Sequence, residues 1–302
     1  MVSWQDKANI VFEGIKRRFQ VPMVELTTFK IGGPLDLLVE PENIDDLQKI
    51  LSFCHIEKLP WMMIGFGSNL LVRDKGIRGI GIRLSGQFTS FEIHNETVTA
   101  GAGMALGDLA KKTACQGLSG LEFACGIPGT IGGGVYMNAG AYDGEMAGVL
   151  KKVQAIDGVN GPIWYERSDL NMGYRRSRFQ GSKQIITMIQ LELKKADKES
   201  AEGKIAQLTC QRESKQPLEM PSAGSVFRRP VGYYVGPLIE QSNLKGYSIG
   251  GAQVSTKHSG FIVNTGGATA GDVIRLIEHI QTIVKQKFNI ELIPEIRIVG
   301  EE

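Results

Sequence analysis

The chain has 302 residues, with Lys+Arg 34 against Asp+Glu 32 and a formal charge of +2. At 42% hydrophobic and 22% charged it can bury a sizeable core and form two or three domains, which excludes disorder as its main state. The near-neutral balance, without a Lys/Arg block, leaves no footprint for nucleic acid or an acidic membrane, and no apolar run reaches the about 18 residues of a spanning helix.

Residues 4–19 place Ile10, Val11, Ile15 and Phe19 on a helical stripe closed by Pro22, which predicts a lead-in helix. Its charges, Asp6, Lys7, Glu13, Lys16, Arg17 and Arg18, break up any signal-peptide core, so a cytoplasmic protein is expected. A strand at 35–39, a helix at 44–54 behind an Asn43 cap and a strand at 61–64 come next. The stretches 79–84 and 91–100 alternate as half-buried strands, and 106–116 reads as a helix. Residues 117–148 are mostly glycine and small residues, a loop long enough to be functional. Strands at 153–157, 163–165 and 184–193 lead into a charged run, 194–202, that suggests a domain boundary. A helix near 204–214 must stop before Pro217, Thr269 with Asp272 caps a long amphipathic helix, and 292–299 reads as a closing strand.

Glycine is the anomaly: 38 residues, where an ordinary share would give about 21. Six fall in 65–86, thirteen in 101–148 and ten in 224–271, with no three-residue period, which excludes collagen. The run Gly65-Phe66-Gly67-Ser68-Asn69-Leu70 follows a strand; its backbone N–H groups can form an anion nest, or the run is a plain connecting turn. Gly101, Gly103 and Gly107 imitate a Rossmann turn, and Glu122 lies at about the right distance for the ribose, but no convincing strand precedes it; close strand-to-helix packing is the alternative for the glycines. Pro128-Gly129-Thr130-Ile131-Gly132-Gly133-Gly134 offers bare backbone to a flat ring or a phosphate, with Pro128 fixing a turn, cis or trans. The cysteines Cys54, Cys115, Cys125 and Cys210 form no C-x-x-C pair and read as reduced structural side chains. The histidines His55, His94, His258 and His279 make no H-E-x-x-H or Cys/His cluster, so no metal is expected.

These motifs, with Asn138-x-Gly140-Ala141-Tyr142, Gly173-Tyr174-Arg175-x-Ser177, Ala223-Gly224-Ser225-x-Phe227 and Pro294-Glu295-Ile296, occur in an order that resembles the UDP-N-acetylenolpyruvoylglucosamine reductase family over nearly the whole chain. The resemblance implies an α+β fold: an FAD-binding domain of the vanillyl-alcohol-oxidase (PCMH) type in two subdomains, and a C-terminal α/β substrate-binding domain. It gives a division into an N-terminal helix, 1–24, an FAD domain, 25–198, and a substrate domain, 204–300. It also implies non-covalent FAD, NADPH as co-substrate, and UDP-N-acetylglucosamine enolpyruvate as the substrate reduced to UDP-N-acetylmuramate for peptidoglycan. The protein is expected to act as a monomer or weak homo-oligomer.

By the same resemblance Arg175, Ser225 and Glu295 are the catalytic positions. Arg175 and Glu295 stabilise an enolate and Ser225 gives a proton to C2. Gly65, Phe66, Gly67, Ser68, Asn69, Leu70, Pro128, Gly129, Thr130, Gly132, Gly133, Asn138, Gly140 and Ala141 are the cofactor positions, and Tyr174, Lys215, Lys257 and His258 the substrate positions. Without the resemblance Arg175 and Arg176 each read as a surface or salt-bridge arginine, and Glu295 as a solvent-facing carboxylate on a strand face shared with Arg297; the Tyr-Arg-x-Ser pattern selects Arg175 and leaves Arg176 unassigned. Where longer members carry an asparagine after the serine, this chain has Arg228-Arg229-Pro230, and the 70 positions from Ser225 to Glu295 mark a shorter branch in which Tyr233, Tyr234 or Tyr247 covers the diphosphate. The competing readings are another FAD oxidase of the same fold and a non-catalytic nucleotide-binding protein. The second has no need of Ser225, Arg175 and Glu295 together.

Overall fold

The computed structural model describes residues 3–158 and 160–302. Met1 and Val2, part of the expected 1–24 segment, and Val159 lie outside the described residues.

Helix α1 (Trp4–Val11) starts on Ser3, whose hydroxyl accepts from the Asp6 N–H. It ends well short of residue 19, because Gly14 takes φ +82° and strand β1 (Lys16–Pro22) follows. The apolar stripe holds only in part: Ile15 is buried, but Ile10 is 74% exposed and Val11 is also exposed, while Ala8 and Phe12, outside the stripe, face the core.

Next come β2 (Pro34–Glu40), α2 (Ile44–Ile56), β3 (Trp61–Met63), β4 (Leu70–Val72), β5 (Ile77–Ile82), β6 (Phe91–His94), β7 (Thr97–Gly101) and α3 (Leu106–Cys115). Asn43 caps α2 as expected, accepting from the Asp46 N–H, and the 91–100 stretch is a hairpin turning at Asn95, φ +56°. The 117–148 stretch is ordered throughout, with β8 (Leu118–Ser119), α4 (Ile131–Tyr136), β9 (Gly140–Ala141) and β10 (Gly144–Glu145). Three successive glycines stay helical in α4 because Thr130 caps it and because Gly132 packs where a Cβ would lie 2.9 Å from the Ala102 carbonyl oxygen.

Strands β11 (Leu150–Ile156), β12 (Ile163–Glu166), β13 (Ile185–Glu192) and β14 (Lys194–Lys195) precede helix α5 (Lys198–Lys215). The charged run 194–202 is therefore a short strand and the first turn of a helix, where Lys198 pairs with Glu202 one turn on. Strand β15 (Ser222–Ser225), α6 (Val235–Gln241), β16 (Ser248–Ile249), β17 (Ala252–Val254), β18 (Phe261–Asn264), α7 (Ala270–Phe288) and β19 (Arg297–Val299) complete the chain. Thr269 and Asp272 form a full capping box on α7. The expected strand at 292–299 is present at 297–299; upstream, Pro294 makes an isolated bridge with Phe227, so Glu295 lies ahead of β19 and outside any strand.

The chain forms two compact units. One takes residues up to Arg18, Leu38–Gly65 and Ile80–Arg212. It contains an antiparallel sheet in the order β12-β11-β13-β7-β6, with α4 against β13 and β7. The other takes Phe19–Leu37, Phe66–Gly79 and Glu213–Glu302. Its antiparallel sheet β15-β18-β17-β16 packs under α7, and β4 pairs with β19 in parallel. Phe29, Ile31 and Leu71 join Val254, Ile262, Leu276, Ile280 and Leu292 in its core. The division expected from the sequence runs continuously along the chain, whereas this unit recruits 19–37 and 66–79 to the C-terminal part. Among the described residues no helix is long and apolar enough to cross a membrane, and no group of three or more His, Cys, Asp or Glu could hold a metal ion.

Candidate active site

In the first unit the two glycine-rich motifs meet. A Cβ on Gly65 would lie 3.2 Å from the Thr130 hydroxyl, and that hydroxyl in turn accepts from the Gly133 N–H. Pro128 and Gly133 are exposed, Gly129 is half-buried at φ +142°, and a Cβ on Gly133 would meet nothing nearer than the Thr130 hydroxyl at 3.5 Å. The result is a strip of bare backbone edged by one hydroxyl, a surface that a flat ring or a diphosphate can approach closely. The residues present fit a flavin nucleotide. Pro128 is reached through a trans peptide, since no peptide bond described is cis. Gly132 is buried against Ala102, and Gly140 and Ala141 are half-buried in β9, where a Cβ on Gly140 would lie 2.7 Å from the Gly144 carbonyl oxygen.

The other half of the first motif belongs to the second unit. Gly67 is buried at φ +63°, where a Cβ would lie 2.3 Å from the Leu26 carbonyl oxygen, so it is needed for the turn itself. Phe66 is 43% exposed, Ser68 half-buried, and Leu70 is buried in β4.

Arg175 sits in a tight hairpin closed by reciprocal Gly173 and Arg176 backbone hydrogen bonds of 3.0 Å. It holds φ +52°, a conformation that costs a non-glycine residue on the order of 1–3 kcal/mol and persists only when its surroundings impose it. Its guanidinium lies over the Tyr174 ring, 5.0 Å from the centroid, and its nitrogens lie 3.4 Å from the carbonyls of Asn138 and Gly140. Arg176, by contrast, is exposed and has ordinary φ. Asn138 has no exposed surface: its amide N–H donates to the Gly173 carbonyl at 2.9 Å and its oxygen accepts from the Ala147 N–H at 2.9 Å. Both ends of its amide are thus engaged within the protein, and the side chain has no exposed surface.

In the second unit two of the predicted catalytic residues come together. Ser225 ends β15, exposed, with its backbone paired to Phe261. The neighbouring Val226 carbonyl accepts from the Glu295 N–H at 2.7 Å, which brings side chains 70 positions apart onto adjoining backbone. Asn69 clamps the far side: its amide donates to the Glu295 carbonyl at 3.2 Å, and its own carbonyl accepts from the Arg297 N–H at 2.9 Å. This clamp joins residues 226 positions apart, and no local sequence signal could have revealed it.

The candidate substrate residues Lys257 and His258 lie on the β17 to β18 connection, whose Gly260 carbonyl accepts from the Val226 N–H at 2.9 Å. Lys257 donates to the Glu213 carbonyl at 2.7 Å and pairs with Glu219 at 3.6 Å. The His258 Nδ1 accepts from the Gly260 N–H at 3.1 Å, and burial pushes the imidazole below its ordinary pKa. Lys215 is exposed at the end of α5, and Tyr174 is 53% exposed. Of the tyrosines, Tyr247 stacks on His279 with centroids 4.7 Å apart. Tyr234 carries the Arg229 guanidinium at 3.8 Å, on a loop whose Val231 is 98% exposed.

Comparison with known proteins places the chain among related sequences and folds. The family model described as "UDP-N-acetylenolpyruvoylglucosamine reductase, C-terminal domain" matches residues 216–299, and one described as "FAD binding domain" matches 35–163. The UDP-N-acetylenolpyruvoylglucosamine reductase of Syntrophomonas wolfei is 47% identical over 281 residues, 93% of this chain and 94% of that one. That of Caldanaerobacter subterraneus is 45% identical over 98% of both chains. The crystal structure of the Thermus caldophilus enzyme superposes with a TM-score of 0.81 at 35% identity, covering 95% of this chain and 99% of that one. At this level of identity over nearly its whole length, the chain belongs to the UDP-N-acetylenolpyruvoylglucosamine reductase family.

Proposed function

We propose that the protein reduces UDP-N-acetylglucosamine enolpyruvate to UDP-N-acetylmuramate with NADPH, using non-covalent FAD. The setting is cytoplasmic, with the protein a monomer or weak homo-oligomer. Residues 25–198 carry the FAD and 204–300 the substrate. The observation that carries this reading is the backbone join between Glu295 and the residue after Ser225, through the Val226 carbonyl, because a binding module has no need to carry a hydroxyl and a carboxyl on adjoining backbone.

The chemistry that bound FAD supplies is hydride transfer, from NADPH to the flavin and from flavin N5 to C3 of the enolpyruvyl ether. The bare strip at Gly65, Pro128, Gly129, Thr130 and Gly133 would hold it, with Phe66, Gly67, Ser68, Asn69 and Leu70 completing that motif. A hydride on C3 leaves an enolate whose extra charge spreads onto the carboxylate. Arg175 offers a planar cation that keeps its proton, and such groups stabilise developing charge most when they are fixed in advance. Glu295 assists in the same stabilisation. Ser225 then donates its hydroxyl proton to C2; a weak acid suffices because the enolate carbon is strongly basic, and the alkoxide regains a proton from solvent. Lys215, Lys257, His258 and Tyr174 are the groups that would hold the anionic nucleotide sugar.

The test is an anaerobic spectrum. NADPH should bleach the flavin, and UDP-N-acetylglucosamine enolpyruvate should restore it; a substrate that leaves the flavin reduced would sink the assignment. Ser225→Ala should leave bleaching near normal and slow re-oxidation by about 10²- to 10⁴-fold, the usual worth of a positioned acid. Equal slowing of both halves would remove the proton-donor role.

A further inference from the structure

We propose that Asn138 is the positioning residue for Arg175, holding its hairpin and its guanidinium at once, an inference that rests on the enolate role given to Arg175 above. Asn138 is wholly buried at φ +44°, a left-handed conformation that asparagine tolerates better than other side chains with a Cβ. Its two functional ends point in different directions. The amide donates to the Gly173 carbonyl at 2.9 Å, the residue that closes the Arg175 hairpin, and the amide oxygen accepts from the Ala147 N–H at 2.9 Å.

Its backbone does the second task, since the Asn138 carbonyl lies 3.4 Å from Arg175 Nη1 and the nearby Gly140 carbonyl 3.4 Å from Nη2. The hairpin has further ties to the same turn. Gln180 donates to the carbonyls of Arg175 and Tyr136 at 3.0 Å, and Ser177 donates to Tyr136 at 2.7 Å. Those ties fix the base of the hairpin, whereas Asn138 alone of these side chains belongs to a residue whose carbonyl also receives the guanidinium. A carboxamide is the matching group: one end must donate and the other accept, and a carboxylate of the same shape can only accept. An unmatched group here would sit against a carbonyl with no water to relieve it.

Two variants probe the role differently. Asn138→Gly keeps the left-handed backbone, and with it the carbonyl, while removing the clamp; Asn138→Asp keeps the shape and removes the donor. Both are made in the FAD-loaded protein, and flavin stoichiometry and the melting of the apoprotein are measured beside the two half-reactions. The expected result is full flavin content, reduction by NADPH within about twofold of wild type, and re-oxidation by the enolpyruvate slowed about 10- to 100-fold, as a catalytic group moved by a fraction of an ångström requires. Placed on Arg175→Ala, Asn138→Gly should add less than about twofold, because a residue acting through another loses its effect when that one is gone. Full additivity, equal slowing of both half-reactions, or flavin loss in both variants would assign Asn138 a structural role and overturn the inference. Normal re-oxidation in Arg175→Ala alone is the separate outcome that overturns the role of Arg175, and the inference with it.

Discussion

Adding one methyl group at Gly133 separates binding from folding. Gly133 lies in α4 at negative φ, is exposed, and would place a Cβ 3.5 Å from the Thr130 hydroxyl with nothing else nearby. Alanine in that helix should raise the stability of the apoprotein by about 0.5–1 kcal/mol, the usual gain of replacing a helical glycine. The same methyl stands on the strip where the flavin must approach bare backbone. An intruding group in a close contact costs about 1–3 kcal/mol, which is about 5- to 160-fold in dissociation constant. Gly67 gives the opposite case: a Cβ there would lie 2.3 Å from the Leu26 carbonyl oxygen at φ +63°. Gly67→Ala combines about 1–2 kcal/mol of left-handed strain with about 1–3 kcal/mol of overpacking, so it should destabilise even the apoprotein by about 2–5 kcal/mol. Urea unfolding of the apoproteins and FAD titration by fluorescence quenching read the two effects separately. Wild-type FAD affinity in Gly133→Ala would refute the cradle, and an unchanged urea midpoint in Gly67→Ala would refute the packing argument.

Three further expectations follow from the second unit and the cysteines. Thr269→Ala removes the side chain that caps α7 through the Asp272 N–H and should lower stability by about 1 kcal/mol, measured as a shift in urea midpoint. His258 has its folded pKa lowered by burial, so the unfolded chain binds the extra proton first. Its stability contribution is complete above its unfolded pKa of about 6.5 and is lost as pH falls toward the folded value. Between pH 7.5 and 5 the urea midpoint of wild type should therefore fall more steeply than that of His258→Gln, and parallel profiles would contradict this. Burial pushes the Cys54 thiol up to about 12, Cys125 is also buried, and Cys115 and Cys210 are exposed, so a disulfide exchange reagent at pH 8 should titrate two thiols in the native protein and four in denaturant.

What could be read from the sequence was what depends on near neighbours. Asn43 and Thr269 were visible as caps because a cap and its target are three residues apart. The break at Gly14 was hidden because the apolar residues around it happen to fit a helical period, although Ile10 faces solvent. The charged run at 194–202 resembled a linker, yet charges four apart are also how an exposed helix face looks. At the site, the ordered motifs pointed to Arg175, Ser225 and Glu295, but the left-handed backbone of Arg175 was not legible, because neither arginine carries a turn signal of its own. The inward commitment of Asn138 depends on Gly173, 35 positions away, and the clamp of Asn69 on Glu295 spans 226, distances at which pattern carries no information.

The parallel pairing of β4 with β19 orders events during synthesis. Leu70, Leu71 and Val72 are made first and find their partners Arg297, Ile298 and Val299 only 227 positions later along the chain. Until β19 is made that apolar strand lacks its partner, and until α7 is made the core residues Phe29, Ile31 and Leu71 lack the Leu276 and Ile280 they cluster with. Contacts this remote close slowly and leave hydrophobic surface open to other chains meanwhile. A nascent chain stalled before residue 297 should therefore be the form most in need of a chaperone, and a fragment beginning after α5 should lack part of its own core.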